Sequence, residues 1–178
     1  MADERISYIA NKLHVYKDYP KKGVDYQDIF SVLRDAEAVK VVFELIREKA
    51  LTLRGKIDCV AGIESRGFLF APTIALEIGA AFEPIRKANK LPGEKLSIDY
   101  TLEYGESTAE IQKEGFESKK KVLIVDDLLA TGGTLKAAVD LINTVESEVV
   151  ECFVLFELAH LEGRKQLPGV LIESLITL

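Results

Sequence analysis

The chain is poor in the residues that build disulfide scaffolds, metal centres and membrane spans. Only two cysteines and two histidines occur in 178 residues. Cys59 precedes Val60-Ala61 and Cys152 precedes Phe153-Val154-Leu155, so both read as buried thiols in apolar strands rather than as a disulfide or metal pair. His14 and His160 stand far apart in sequence and read as structural or exposed side chains. No apolar run approaches the roughly 20 residues that span a bilayer. Met1-Ala-Asp-Glu-Arg lacks the apolar core of a secretory signal, so a cytoplasmic protein without a membrane partner is expected. Positive charge is also short: 23 Lys and Arg stand against 29 Asp and Glu, a net charge of −6. That balance argues against a broad nucleic-acid surface, and no basic helix-turn-helix pattern appears. The chain contains no G-x-G-x-x-G, and Gly133 is followed by Thr134 with no Lys in the Walker position, which excludes dinucleotide-binding and P-loop readings.

What is present is the composition of one ordinary domain, with 48% hydrophobic and 29% charged residues. Residues 3 to 13 have weak helical character, and Tyr19, Pro20 and Gly23 then mark a turn region, giving an N-terminal appendage over about residues 1–34. Val39, Val42, Phe43, Ile46 and Ala50 follow helical spacing behind Asp35 as N-cap, with Gly55 as the stop. Ile57 to Ile63 reads as a buried strand, Phe68 to Ile78 as a helix closed by Gly79, and Ala80 to Ile85 as a strand. Residues 87 to 120 turn polar, with Pro92, Gly93, Gly105 and Gly115. A connection so far beyond the usual 12 to 15 residues is either a lid or carries short strands of its own. Strand, helix, strand and an edge strand follow at Val122 to Val125, after Thr134, at Val149 to Leu158 and at Val170 to Ile176. This alternation predicts an α/β fold with a mostly parallel central sheet flanked by helices, in a single domain over 1–178.

The densest signal is Val122-Leu-Ile-Val-Asp126-Asp127-Leu-Leu-Ala130-Thr131-Gly132-Gly133-Thr134. A short β-rich apolar run reads as a central parallel strand, and Asp126 and Asp127 fall at its carboxyl end, where open α/β sheets bind ligands. Beyond them the glycine pair allows a tight turn into a helix with apolar positions Leu135, Ala138, Val139, Ile142 and Val145. Free backbone N–H groups at that helix start, with the Thr131 and Thr134 hydroxyls, suit a phosphate. The carboxylates suit a ribose diol, so the ligand that reconciles acids with an anion site is a sugar phosphate.

Glu64-Ser65-Arg66-Gly67 lies between a strand and a helix, at the same edge of the sheet. Arg66 and its backbone neighbours could grip a diphosphate, or Arg66 could be a structural residue at a helix start. Arg86, Lys87, Lys90 and Lys95 form a basic stretch that is either a solvated loop or the receiver of a strongly anionic small ligand.

The long string from Val122 to Thr134 resembles the ribosyl diphosphate motif of the type I phosphoribosyltransferases. The resemblance continues in order through nearly the whole chain, and is strongest to the adenine-specific members: Tyr19-Pro-Lys-Lys-Gly-Val-Asp-Tyr-Gln-Asp-Ile29, Ala61-Gly-Ile-Glu-Ser-Arg-Gly-Phe-Leu-Phe70, Ile85-Arg-Lys87, Lys90-Leu-Pro-Gly93 and Leu102-Glu-Tyr-Gly105. It implies transfer of the 5-phosphoribosyl group from phosphoribosyl diphosphate (PRPP) to adenine, giving AMP and diphosphate, with Mg²⁺ bound through PRPP rather than by a dedicated set of protein ligands. It implies a type I fold with a small N-terminal hood, a mobile catalytic loop over about 90–116, and a homodimer whose Arg86 and Lys87 region reaches the partner's site. Asp126, Asp127, Ala130, Thr131, Gly132, Gly133 and Thr134 would hold the ribose and its phosphate, and Ser65, Arg66, Arg86 and Lys90 the diphosphate side. Arg66 would also stabilise the departing charge. Glu103 would take the proton from the purine, and Tyr104 would cover the reacting sugar. Asp25, Tyr26 and Gln27 match the adenine pocket in the hood, with Tyr26 stacking on the base, and Leu158 matches its other wall, though ordinary strand-end packing also accounts for Leu158. Gln27 stands where many relatives have Arg, and Asp25 where a small apolar residue is common.

Two other readings keep the PRPP motif: a phosphoribosyltransferase for a 6-oxopurine or orotate, and a non-catalytic PRPP sensor. Tyr26 and Leu102-Glu-Tyr-Gly105 weigh against the first, and the absent DNA-binding element against the second.

Overall fold

The computed structural model describes residues 3–102, 105–116 and 119–178, and gives side-chain detail outside 101–106. The chain divides into two compact units, Met1–Glu48 and Lys49–Leu178.

The first unit begins with α1 (Glu4–Lys12), whose N-cap Asp3 accepts from the Arg5 N–H at 3.0 Å. Strands β1 (His14–Tyr16) and β2 (Tyr26–Asp28) pair antiparallel, with His14 opposite Asp28 and Tyr16 opposite Tyr26. A short α2 (Ile29–Leu33) follows, then α3 (Ala36–Leu53), which runs on into the second unit. Asp35 caps α3 as expected, its Oδ1 accepting from the N–H groups of Glu37 and Ala38 at 3.0 and 3.1 Å. Lys12 and Asp35 form an ion pair, and so do Arg5 and Glu48.

The second unit is a seven-stranded mixed sheet flanked by helices. In chain order it contains β3 (Cys59–Ile63), α4 (Ala71–Ile78), β4 (Ala81–Lys87), β5 (Lys95–Leu102), β6 (Gly105–Gln112), β7 (Lys121–Leu129), α5 (Gly133–Asn143), β8 (Glu148–Glu157) and β9 (Ile172–Thr177). The order across the sheet is β5-β6-β4-β3-β7-β8-β9, parallel except at β5 and β6. From β3 the chain moves outward one way to β4, and from β7 the other way to β8 and β9. The strand order therefore reverses between β3 and β7, which makes their carboxyl ends the ligand crevice of such a sheet.

On one face, Cys59, Ala61, Ile63, Ile124 and Val154 pack with Leu135, Ala138, Val139 and Ile142 of α5. The opposite face of β3 receives α4. A methyl group added at Gly62 would come within 2.9 Å of both the Ala71 Cβ and the Phe82 ring, so this close approach requires glycine. Pro72 sits in the first turn of α4, where its missing N–H is harmless, and Gly79 ends the helix at φ 76°. Both cysteines are buried and free, and burial pushes each thiol up to about 12. They are inert core residues.

One open reading resolves to strands and one expectation changes. The polar stretch after residue 87 is largely the antiparallel hairpin β5–β6, joined to the end of β4 through Arg86 opposite Glu110 and Lys87 opposite Ala109. Strand β7 does not stop at Val125. It continues to Leu129 because β8, apolar almost to its end, still offers backbone partners: Asp126 lies opposite Val154 and Leu129 opposite Glu157. On its other edge β7 pairs with β3 only as far as Val125 opposite Gly62. The two carboxylates thus stand on rigid strand backbone just where the β3 edge of β7 opens.

Candidate functional site

Asp127 is 4% exposed and Asp126 is half-buried. The Asp126 Oδ1 accepts from the Asp127 N–H at 2.9 Å, and the Asp127 Oδ2 lies 2.9 Å from Arg66 Nε. Burial, joined by the neighbouring Asp127 charge, raises the Asp126 carboxyl well above its ordinary range. Burial also raises Asp127, although the Arg66 guanidinium pulls the other way. Two adjacent carboxylates of this kind bind hydroxyl groups and resist carrying two full charges without a cation.

Arg66 reaches Asp127 because the turn after β3 lies directly over β7. A methyl group at Gly67 would sit 2.6 Å from the Val125 carbonyl oxygen and 3.3 Å from the Asp126 Cα. Only glycine permits that approach, and the Arg66–Leu69 3-10 turn carries the guanidinium across.

Beyond β7, residues Ala130 and Thr131 lead to Gly132 at φ 90°, and α5 starts at Gly133 without a side-chain cap. The first intrahelical bond runs from the Lys136 N–H to the Gly132 carbonyl at 2.9 Å. The earlier N–H groups of this turn have no acceptor within the helix, and with the helix dipole they form an anion cradle. Gly133, Thr134 and residues 128 to 132 line a concavity at this point.

The remaining predicted residues of this unit separate into two groups. Ile63, Glu64, Arg86, Lys87, Tyr100 and Thr134 line one small concavity, so the end of β4, the turn after β3 and the start of α5 converge. Glu64 was absent from the sequence-based site, yet it holds this corner: its Oε2 accepts from Arg86 Nε and from the Lys87 N–H, both at 3.1 Å. Burial would raise Glu64, but the Lys87 N–H and the Arg86 guanidinium prevail and keep it below its usual value. Ser65 is exposed on the turn and lies outside that lining. Lys90 is exposed as well; its carbonyl accepts from Arg86 Nη1 at 3.0 Å. Leu158 is buried at the end of β8, its N–H donating to the Leu129 carbonyl at 2.9 Å.

Asp25, Tyr26 and Gln27 belong to the first unit. There Tyr26 meets Tyr19 edge-on with ring centroids 5.3 Å apart, and Gln27 Nε2 donates to the Asp25 carbonyl at 3.3 Å. Glu103 and Tyr104 lie outside the described residues. His14 and His160 are both exposed.

The profile of the phosphoribosyl transferase domain matches residues 31–170. The chain is 50% identical to adenine phosphoribosyltransferase 3 of Arabidopsis thaliana over 168 residues, 94% of this chain and 90% of the plant protein. Among solved structures, adenine phosphoribosyltransferase of Thermoanaerobacter pseudethanolicus superposes with a TM-score of 0.90 at 43% identity, covering 97% of this chain and 99% of that one. The Saccharomyces cerevisiae enzyme, complexed with an imino-altritol bisphosphate and adenine, superposes with a TM-score of 0.89 at 35% identity, covering 97% and 99%.

Proposed function

Because the chain belongs to the phosphoribosyltransferase family, we infer that it transfers the 5-phosphoribosyl group of PRPP to adenine, giving AMP and diphosphate in purine salvage. The observation that carries this reading is the convergence, at the sheet's switch point, of Asp126 and Asp127 with the uncapped start of α5 and with Arg66 from the turn after β3. Relatives over nearly the full chain are adenine enzymes, and the yeast structure holds adenine.

In this reading Asp126 and Asp127 accept from the ribose 2- and 3-hydroxyls, and residues 130 to 134 donate to the 5-phosphate. Arg66 and the Ser65 backbone face the diphosphate, with Arg86 and Lys90 adding positive charge on that side. Tyr26 stacks on adenine, and the backbone of Asp25 and Gln27 reads the base edge. A purine nitrogen then forms its bond to C1 as the C1–O bond to diphosphate breaks, with Glu103 taking the proton and Tyr104 covering the sugar. Charge builds on the departing diphosphate, and Arg66 with the backbone N–H groups of its turn would stabilise it there.

Among the described residues no cluster of three or more His, Cys, Asp or Glu is arranged to hold a metal ion. The adjacent Asp126 and Asp127 fit a hard cation held mainly through substrate oxygens and water. Mg²⁺ held in that way would supply positive charge to offset the leaving diphosphate. We place the enzyme in the cytoplasm as a homodimer. Among the described residues no helix is long and apolar enough to cross a membrane, and Leu69 and Leu76 are 40% and 81% exposed, which fits a covered face.

The deciding experiment is diphosphate release from PRPP and Mg²⁺ with adenine, hypoxanthine, guanine, xanthine or orotate supplied separately. Release with adenine alone is expected. Release with another base overturns the base assignment, and tight PRPP binding without turnover on any base points to a sensor.

A further inference from the structure

Beneath the phosphate loop runs a turn that the chemistry above leaves unused. Two 3-10 turns, Ala159–Leu161 and Gly163–Gln166, connect β8 to β9. A methyl group added at Gly163 would lie 2.3 Å from the Ala130 carbonyl oxygen and 3.1 Å from the Gly132 nitrogen. One added at Gly132 would lie 2.4 Å from the Gly163 carbonyl oxygen. The two backbones touch directly, so the place of one sets the place of the other.

The residue after Gly163 anchors that turn. Arg164 Nε and Nη2 donate to the two oxygens of Glu157 at 2.6 and 2.7 Å, and Nη1 donates to the Ile172 carbonyl at 2.7 Å. Ser174 Oγ donates to Glu157 Oε2 at 2.7 Å. Glu157 is 7% exposed at the end of β8, and its neighbour Leu158 is hydrogen-bonded to the end of β7 through Leu129. All three guanidinium nitrogens are therefore committed to the ends of β8 and β9. Their planar fork fixes direction as well as distance, which a lysine could not reproduce.

We propose that Arg164, through its fork on Glu157, is a positioning residue that holds the 130–134 loop in register for the 5-phosphate without touching the substrate. This rests on the phosphoribosyl transfer reading above, and it separates two ends of one ligand. The 5-phosphate is served by the loop that Gly163 supports, whereas the diphosphate is served by the turn at Ser65 and Arg66 on the other side of the switch point.

The test compares binding of AMP and of diphosphate, and KM for PRPP against kcat, in wild type, Arg164→Ala, Arg164→Lys and Gly163→Ala. Arg164→Ala should weaken AMP binding and raise KM for PRPP by about 10- to 100-fold, the scale of a small misplacement remote from the chemistry. Diphosphate affinity should stay within about twofold, since the sites are separate. Arg164→Lys should recover only part of the loss, because it restores the charge without the fork. Gly163→Ala should reproduce the same split by pushing the loop directly, and it carries the test if Arg164→Ala does not fold. Parallel loss of AMP and diphosphate binding overturns the proposal, as a loosened fold weakens both. So does unchanged AMP affinity in both Arg164→Ala and Gly163→Ala. A wild type that binds AMP alongside either result leaves the transfer reading standing, whereas a wild type that binds no AMP overturns both.

Discussion

The guanidinium of Arg66 lies 2.9 Å from the buried carboxylate of Asp127, joining the turn after β3 to the end of β7 across the point where the strand order reverses. The group assigned to the leaving diphosphate therefore also neutralises a group assigned to the ribose. The two halves of the site share one charge, and Asp127 would be costly to bury without it.

Removing that cation should act on stability and on binding in separable ways. Arg66→Ala leaves Asp127 buried and unpaired, and should destabilise the fold by about 1–3 kcal/mol, the penalty for an orphaned buried acceptor. Adding Asp127→Asn should return much of that stability, because an amide does not carry the charge. Diphosphate affinity should not return, since its donor is still missing. Denaturant unfolding and diphosphate titration on the single and double variants check this, and recovery of both properties together would refute the division of roles.

Asp126 gives a pH-dependent signature. Burial and the Asp127 charge raise its carboxyl well above 3.8 in the folded protein. In the unfolded chain it ionises near 3.9. Between those two values the folded state binds more protons than the unfolded state, so stability is full below the unfolded pKa and falls as pH rises through the folded one. Asp126→Asn removes that loss. Its Tm should match wild type in acid and exceed it at neutral pH, by about 2–4 °C for each kcal/mol relieved. Asp126→Asn combined with Asp127→Asn should in turn abolish tight PRPP binding. A Tm difference that does not change with pH would show that the carboxylate carries no such penalty.

The stretch from Val122 to Thr134 was legible as a candidate site because strand, carboxylates and helix start are contiguous, so local propensity and chemistry point the same way. Asp35 as N-cap and Gly79 as C-cap were legible for the same reason. The continuation of β7 through Asp126 to Leu129 was not, since two carboxylates look like a strand end until β8 supplies partners. Nor were Glu64 and Gly163, whose roles exist only across long gaps in sequence: Glu64 holds Arg86 and Gly163 supports Gly132. Nothing local to Gly163-Arg164 says which loop that turn would meet.

Gly67 should be as intolerant of substitution as the carboxylates, for a purely steric reason. The added methyl of Gly67→Ala would meet the Val125 carbonyl at 2.6 Å, and backbone in a central strand cannot yield cheaply. Overpacking of this kind costs about 1–3 kcal/mol. Because Arg66 is the preceding residue, the shift should also weaken PRPP binding. Gly55→Ala is the control: its added methyl has nothing within 4 Å, so any loss there comes from its φ of 74° alone. Paired unfolding and PRPP titrations should show a binding defect at Gly67 only, and equal PRPP affinity in the two variants would refute the steric account.

Glu103 is proposed as the proton acceptor on its family motif Leu102-Glu-Tyr-Gly105, and the pH profile of its amide variant is the sharpest check. If the carboxylate takes the purine proton as the N–C1 bond forms, Glu103→Gln keeps the shape of the side chain and loses only its basicity. Turnover should then fall by roughly 10² or more while PRPP and adenine still bind, in line with general-base contributions. In wild type, kcat should drop on the acid side as this carboxylate is protonated in the ternary complex, and that limb should be missing in the variant. Single-turnover measurements matter here, because loop opening or product release can limit kcat and hide a slowed chemical step. A full single-turnover rate in Glu103→Gln would move the proton to solvent, whereas a slow rate that keeps the wild-type acid limb would assign that limb, and the base, to another group.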